Sequence, residues 1–276
     1  MKLYISADME GTAAVCSWQQ CDPDNLTEYP YYRHLMSLEV RAAIDGARSS
    51  GVTDVLVNDS HSSMRNILWN ELPQDVRMIY GNRKPFSMAQ GVTREFAAAF
   101  FTGYHGRAGQ ANAALEHTYT SSTLYNVRLN GIECSEATLN AAFLGEFGVP
   151  VVLITGDQGI VDLTKSQMPW ITGVAVKQAI GKFGVDSISP EAARAAIRDG
   201  AADAIRNLSR AQPYKFDPPF TLEIDFVLTE QADYVELMPG FKRTGGRTVQ
   251  FTDDNFTVVF RAFVAAFRLG NAANAK

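Results

Sequence analysis

Lys2-Leu3-Tyr4-Ile5-Ser6-Ala7-Asp8-Met9-Glu10-Gly11 is a short apolar run that ends in two carboxylates spaced two residues apart. Residues 2–7 predict a buried β-strand. Neighbours two apart on an extended chain point to the same side, so Asp8 and Glu10 can face one site. The same event recurs twice. Thr53 to Val57 is a second apolar run, followed by Asn58-Asp59-Ser60-His61, and Ala97 to Thr102 is another, followed by Gly103-Tyr104-His105. Open α/β sheets gather ligands beyond the carboxyl ends of their strands, which is where these acids and histidines fall.

Outward from these runs, His34 to Ser50 predicts a helix, with Met36, Val40, Ala43, Ile44 and Ala47 on one face and Gly51 placed to stop it. Residues 17–33 before it read as a polar, aromatic loop, and Arg77 to Tyr80 as a weaker strand. Strands joined by helical or long connections imply a parallel sheet. One hairpin interrupts the pattern: Leu124 to Leu129 and Ile132 to Cys134 flank Asn130-Gly131, a pair suited to the positive φ angles of a type I′ turn. Ser135 can cap a helix reaching Phe147, Val151 to Thr155 and Ile171 to Val176 read as core strands, and Ser189-Pro190 opens a helix lasting to Ser209.

Three prolines within residues 212–219 predict a linker, and hence a metal-binding α/β catalytic domain over 1–211 with a smaller C-terminal α/β subdomain over 212–276 packed on it. In the latter, Leu222, Ile224, Phe226 and Leu228 alternate with polar residues as a strand, Arg247 to Phe251 is its partner, and Phe256, Val259, Phe260, Phe263 and Phe267 stripe a closing helix. The tail after Gly270 is expected to fray. The expected class is therefore α/β, with a mainly parallel sheet flanked by helices.

Composition narrows the function. The 276 residues carry a formal charge of -5 with 46% hydrophobic and 20% charged residues, and no basic cluster interleaved with aromatics, which argues against nucleic acid as a partner. An acid at position 8 interrupts any signal-like region, no run of about 18 apolar residues occurs, and Cys16, Cys21 and Cys134 do not pair into a disulfide framework. A cytoplasmic protein without a membrane segment is expected. The chain lacks His-Glu-x-x-His, a Gly-x-Ser-x-Gly elbow, a Walker loop and a dinucleotide fingerprint.

Carboxylate and imidazole ligands together suit zinc, manganese, iron or cobalt, with zinc the default. Two of the four histidines, His61 and His105, directly follow predicted strands, whereas His34 lies at a helix start and reads as structural. Five or more ligands with one bridging would hold two ions, and Asp8, nearest its strand end, is the natural bridge. Asp59 can cap a turn or hold a ligand, Asp157 can line the rim of the crevice and bind a substrate amino group or cap a helix, and Glu133 and Glu136 compete as a further ligand. His117 lies in a segment, Ala113 to Thr118, that pattern does not place.

Asp8-Met9-Glu10-Gly11, Val57-Asn58-Asp59-Ser60-His61-Ser62, Lys84-Pro85-Phe86-Ser87-Met88, Gly103-Tyr104-His105 and Glu136 with Leu139-Asn140-Ala141 together resemble the zinc-dependent D-aminopeptidases of the DppA type. The likeness continues through Val151 to Asp157, Ala175-Val176-Lys177-Gln178, Ser189-Pro190 and Leu237-Met238-Pro239-Gly240. The resemblance implies two Zn2+ per subunit, with Asp8 bridging, Glu10 and His61 on one ion and His105 and Glu136 on the other. It also implies that His117 is catalytic and usually a nucleophile; dizinc chemistry would equally suit a general acid/base there. Asn140 can steady Glu136 or touch substrate. The implied activity is hydrolysis of N-terminal amide bonds of short peptides with D-residues, in a homo-oligomer such as a ring-like decamer. Around His117 and in residues 15–33 the sequence departs from the family pattern, which leaves open another amide such as a γ-glutamyl amide. A dinuclear phosphoesterase, disfavoured by the lack of an Arg/Lys cluster near the motifs, and a non-catalytic metal- or ligand-binding relative are the other readings.

Overall fold

The computed structural model describes residues 1–273. In chain order its elements are β1 (Lys2–Ala7), α1 (Trp18–Cys21), α2 (Tyr29–Ser49), β2 (Asp54–Asp59), β3 (Arg77–Ile79), β4 (Ala98–Tyr104), β5 (Leu124–Leu129), β6 (Ile132–Glu133), α3 (Glu136–Glu146) and β7 (Val151–Asp157). They continue with α4 (Gln158–Gln167), β8 (Thr172–Gly181), β9 (Gly184–Ser187), α5 (Pro190–Arg206), β10 (Phe220–Phe226), α6 (Thr229–Glu236), β11 (Lys242–Arg243), β12 (Thr248–Asp253) and α7 (Phe256–Ala272).

Seven strands form one sheet in the order β3-β2-β1-β4-β7-β8-β9, parallel throughout except for the edge strand β9. This is the expected α/β architecture. Its central strands are buried on both faces, because successive side chains leave the strand in opposite directions. Leu3 and Ile5 of β1 pack with α2 and α5, whereas Tyr4 and Phe101 join the core shared with α3, α4 and α7. Chain order reverses between β1 and β4, so the carboxyl ends of β1, β2 and β4 open onto one crevice.

The second sheet is antiparallel, in the order β11-β12-β10-β5-β6. Its strands come from both sides of residues 212–219, which carry no helix or strand before Phe220. Asn130 and Gly131 have φ of 49° and 80°, as a type I′ turn requires, and β5 pairs on its other edge with β10. Helix α7 lays Phe260 against Phe143 of α3, with ring centroids 4.4 Å apart, tying this sheet to the first.

Two element boundaries differ from the sequence expectation. Helix α2 begins at Tyr29, not His34, because Pro30 sits in its first turn, where a missing N–H costs nothing, and Tyr29 is buried. The preceding loop contains the short helix α1. Helix α7 runs on past Gly270 to Ala272, and residues 274–276 of the expected frayed tail lie outside the described residues. Among the described residues no helix is long and apolar enough to cross a membrane.

Candidate metal centre

The end of β4 meets the turn after β1 at van der Waals limits. The Asp8 amide donates to the Thr102 carbonyl at 2.8 Å and the Gly11 amide to the Gly103 carbonyl at 2.8 Å. Gly103 has φ +68°, and a Cβ there would lie 2.2 Å from the Asp8 carbonyl oxygen, so only glycine permits this approach. It brings His105 beside Asp8. On the other side, Asp59 at the end of β2 accepts hydrogen bonds from the Asn66 and Ile67 amides, which folds back the loop carrying His61. Lys177, at the parallel end of β8, points its buried ammonium at the carbonyls of Glu10, Thr12 and Val15 at 2.5, 2.8 and 2.7 Å and holds the Glu10 loop from below.

Asp8, Glu10, His61, His105 and Glu136 are all at most 6% exposed. His61 Nδ1 lies 3.4 Å from Asp8 Oδ1 and 3.0 Å from Glu10 Oε2. His105 Nε2 lies 3.4 Å from Asp8 Oδ2 and 3.5 Å from Glu136 Oε1. The two oxygens of Asp8 thus face different histidines. Among the described residues, ligand atoms converge in three groups, Asp8 with Glu10 and His61, Asp8 with His105 and Glu136, and Glu10 with His105 and His117.

The outer nitrogen of each ring is occupied. His61 Nε2–H meets the Cys21 carbonyl at 2.7 Å, His105 Nδ1–H that of Gly106 at 3.0 Å, and His117 Nδ1–H that of Leu115 at 2.9 Å. These tautomers turn the remaining lone pairs toward the carboxylates, the usual arrangement of metal-ligating imidazoles. Asp8 Oδ2 and His105 Nε2 are buried without a hydrogen-bond partner, an arrangement that a bound cation would satisfy. The donor set fits zinc.

Electrostatics point the same way. Burial alone would raise the Asp8 carboxyl, but the His105 and His61 rings, each 3.4 Å from one of its oxygens, hold it well below the usual range. Burial would lower His61 and His105, but Glu10 and Asp8 around the first and Glu136 and Asp8 around the second push both well above the ordinary imidazole value. Three buried carboxylates at this spacing demand positive charge, from protons or from metal.

His117 stacks on His105 with centroids 4.1 Å apart and planes 6° from parallel, while Trp18 closes on it edge-on at 5.3 Å. Its Nε2 is 3.9 Å from Glu10 Oε1 and 3.8 Å from Glu136 Oε1. The strand-free loop around it has positive φ at Asn112, Leu115 and Tyr119, which explains why no periodicity placed it. Glu136, at the first turn of α3, joins the cluster, whereas Glu133 is exposed and pairs with Arg107 outside it.

Other candidates fall elsewhere. Asp157 is fully buried and caps α4, accepting from Ile160 N at 2.8 Å and Ala114 N at 3.0 Å; it positions the loop before His117 and does not reach the crevice rim. Asn140 accepts from the Tyr119 hydroxyl at 2.8 Å and donates to that of Tyr104, so it reaches Glu136 only through Tyr119, whose amide donates to Glu136 Oε1 at 2.6 Å. His34 stands away from the cluster, 3.4 Å from Glu71. All three cysteines are free, and Cys21 lines the cavity.

Beside the cluster opens a cavity of about 850 Å³ whose walls include Trp18, Asp22, Arg83, His117, Tyr119 and Arg268. No Arg/Lys cluster stands near the motifs along the chain. The fold builds one, because α7 carries Arg268 to Arg83 across the chain. Lys177, quoted in the Ala175 to Gln178 likeness without a role, is the lysine that directly follows the predicted Ile171 to Val176 strand.

Three comparisons bear on what such a site belongs to. A family model described as D-aminopeptidase, the M55 peptidases, matches residues 1–265. A D-aminopeptidase of Bacillus subtilis (strain 168) is 34% identical over 273 residues, which are 98% of this chain and 97% of that one. The solved structure of the Zn-dependent D-aminopeptidase DppA from Bacillus subtilis, described as a self-compartmentalizing protease, is similar with a TM-score of 0.94 at 33% identity, covering 98% of each chain. With the family model spanning almost its whole length, this chain belongs to the M55 peptidase family of D-aminopeptidases.

Proposed function

We propose that the protein is a dinuclear zinc aminopeptidase that removes N-terminal D-residues from short peptides. The observation that carries this reading is the placement of Asp8, whose two oxygens face two separate histidine–carboxylate pairs. Glu10 and His61 would hold one zinc, His105 and Glu136 the other, and Asp8 would bridge them. Zinc supplies Lewis acidity toward the amide carbonyl and lowers the pKa of water.

The chain's own groups do the rest. His117, with its Nδ1–H engaged by Leu115, presents a basic Nε2 to the cavity. It takes a proton from the attacking water and returns it to the departing amine nitrogen. The Tyr119 amide and the Lys177 ammonium keep Glu136 and the Glu10 loop from rotating. Trp18 stacks edge-on against His117 and limits water at its face. Like its self-compartmentalizing relative, the chain would assemble as a homo-oligomer, such as a ring-like decamer, in the cytoplasm, admitting short peptides and excluding folded proteins by size.

Metal analysis of the purified protein, followed by incubation with D-Ala and L-Ala peptides, a γ-glutamyl amide and a generic phosphoester with and without chelator, tests the reading. About two zinc ions per subunit and chelator-sensitive release of D-Ala are expected. Peptide cleavage that persists after complete metal removal would overturn it.

A further inference from the structure

Arg268 is anomalous on energetic grounds, and the exposed Arg83 stands near it. Among the described residues neither makes a side-chain ion pair, and Arg268 Nε is buried without any hydrogen-bond partner. Burial and, after it, the neighbouring Arg83 act against the Arg268 charge, and among the described residues the Tyr119 hydroxyl is the group that favours it. The third cation nearby, Lys84, is already satisfied by Asn58 and the carbonyl of Asp59. A half-buried guanidinium near a second cation, unpaired among the described residues, calls for an anionic ligand, because desolvated charge is stable when paired.

Both arginines line the cavity of the metal centre. The Arg268 guanidinium lies 5.6 Å from the Phe267 ring, Phe267 packs on Tyr119 at 5.0 Å, and Tyr119 N binds Glu136. A chain of direct contacts therefore leads from the proposed zinc ligand to the unpaired guanidinium. The cavity, about 850 Å³, has room for a molecule of a few residues. Among the described residues, the acids lining it are Asp8, Glu10, Glu136 and Asp22.

We infer that Arg268, assisted by Arg83, binds the free α-carboxylate of the peptide substrate, which restricts the enzyme to di- and tripeptides with an unblocked C-terminus. This rests on the peptidase reading above and names the substrate class that the same site selects. A planar guanidinium presents two parallel N–H donors to a carboxylate. A neutral C-terminal amide would leave the two cations unmatched, and a longer peptide would carry its carboxylate beyond them.

The test compares zinc-loaded enzyme on D-Ala-D-Ala and on D-Ala-D-Ala amide, with Arg268→Gln, Arg268→Lys and Arg83→Gln. Wild type should favour the free acid by about tenfold or more in kcat/KM, the difference lying in KM, as expected for a charge-assisted hydrogen bond. Arg268→Gln should bring the ratio to about one, and Arg268→Lys should retain part of it. A wild-type ratio near one, or an unchanged ratio in Arg268→Gln, overturns the inference. Calorimetric titration of zinc-loaded His117→Ala with the same two peptides judges the carboxylate site without turnover. Tighter binding of the free acid, lost in the double variant with Arg268→Gln, supports it, and equal or absent binding of both peptides overturns it. Failure of wild type to cleave either peptide would count against the peptidase reading, and the titration would still decide the inference.

Discussion

The two sheets each carry a cluster of opposite charges, and the clusters are built on different terms. On the five-stranded sheet, Arg128 stands directly across from Glu223 in the β5–β10 register and reaches Asp225 on the diagonal at 2.8 Å. Its side chain and those of its partners are 20–29% exposed, water shares the charges, and local partners complete the set. This is ordinary cross-strand pairing. At the carboxyl edge of the seven-stranded sheet, three carboxylates and two histidines are withdrawn from water, and one buried acceptor, Asp8 Oδ2, has no hydrogen bond. A matched, wetted cluster stabilises a sheet slightly. An unmatched, buried one costs stability and is accounted for only by what it binds.

The strongest way to break that contrast is to remove the shared carboxylate. Asp8→Asn should strip zinc and lower kcat/KM by about 10⁴-fold or more, since metal polarisation is worth several kcal/mol. Zinc content measured beside activity checks this; full activity would show that Asp8 bridges nothing essential.

Next in size, His117→Ala should retain its zinc and lose roughly 10²–10⁴-fold in kcat, the range of a general acid–base group. Loss of metal together with activity would instead make His117 a ligand, an option its place beside Glu10 and His105 permits.

Glu39 sharpens the comparison as a buried acid that makes no direct ion pair among the described residues, Lys177 and Arg194 acting on it only from a distance. Its Oε1 accepts from Ala13 N, its Oε2 is unpartnered, and burial raises it from 4.5 to about 7. Between these values the folded protein keeps a proton that the unfolded chain releases, so stability falls as pH rises through that window and levels off above it. Glu39→Gln should abolish this decline, a gain on the order of 3 kcal/mol at pH 8 and little at pH 4. Denaturant unfolding of both proteins at the two pH values measures it; parallel pH profiles would refute it.

The smallest effect belongs to the exposed cluster. Arg128→Ala should cost less than about 1 kcal/mol and leave kcat/KM unaltered, because half-solvated ion pairs are screened. A loss several times larger in urea unfolding would show that the two clusters are energetically alike.

Much of this contrast was legible in the chain itself. Asp8, Glu10, His61 and His105 each follow a buried strand, and a strand end in an open parallel sheet has a defined destination. Asn130-Gly131 specified its hairpin for a local reason, the tolerance of positive φ. His117 was not placed by pattern, since its loop repeats with neither the period of a helix nor that of a strand. Asp157, equally strand-terminal, turned inward to cap α4, because two backbone amides lie within its reach.

What the sequence determined alone was whatever depends on neighbours in the chain: periodicity, caps, turns, and the type of ligand delivered by each strand. Tertiary structure decided the rest. It chose Glu136 over Glu133, carried His117 onto His105, joined the 124–133 hairpin to strands about a hundred residues later, and set Arg268 of the last helix beside Arg83. Such encounters depend on the packing of whole layers, and no local pattern of residues encodes which distant side chains that packing will bring together.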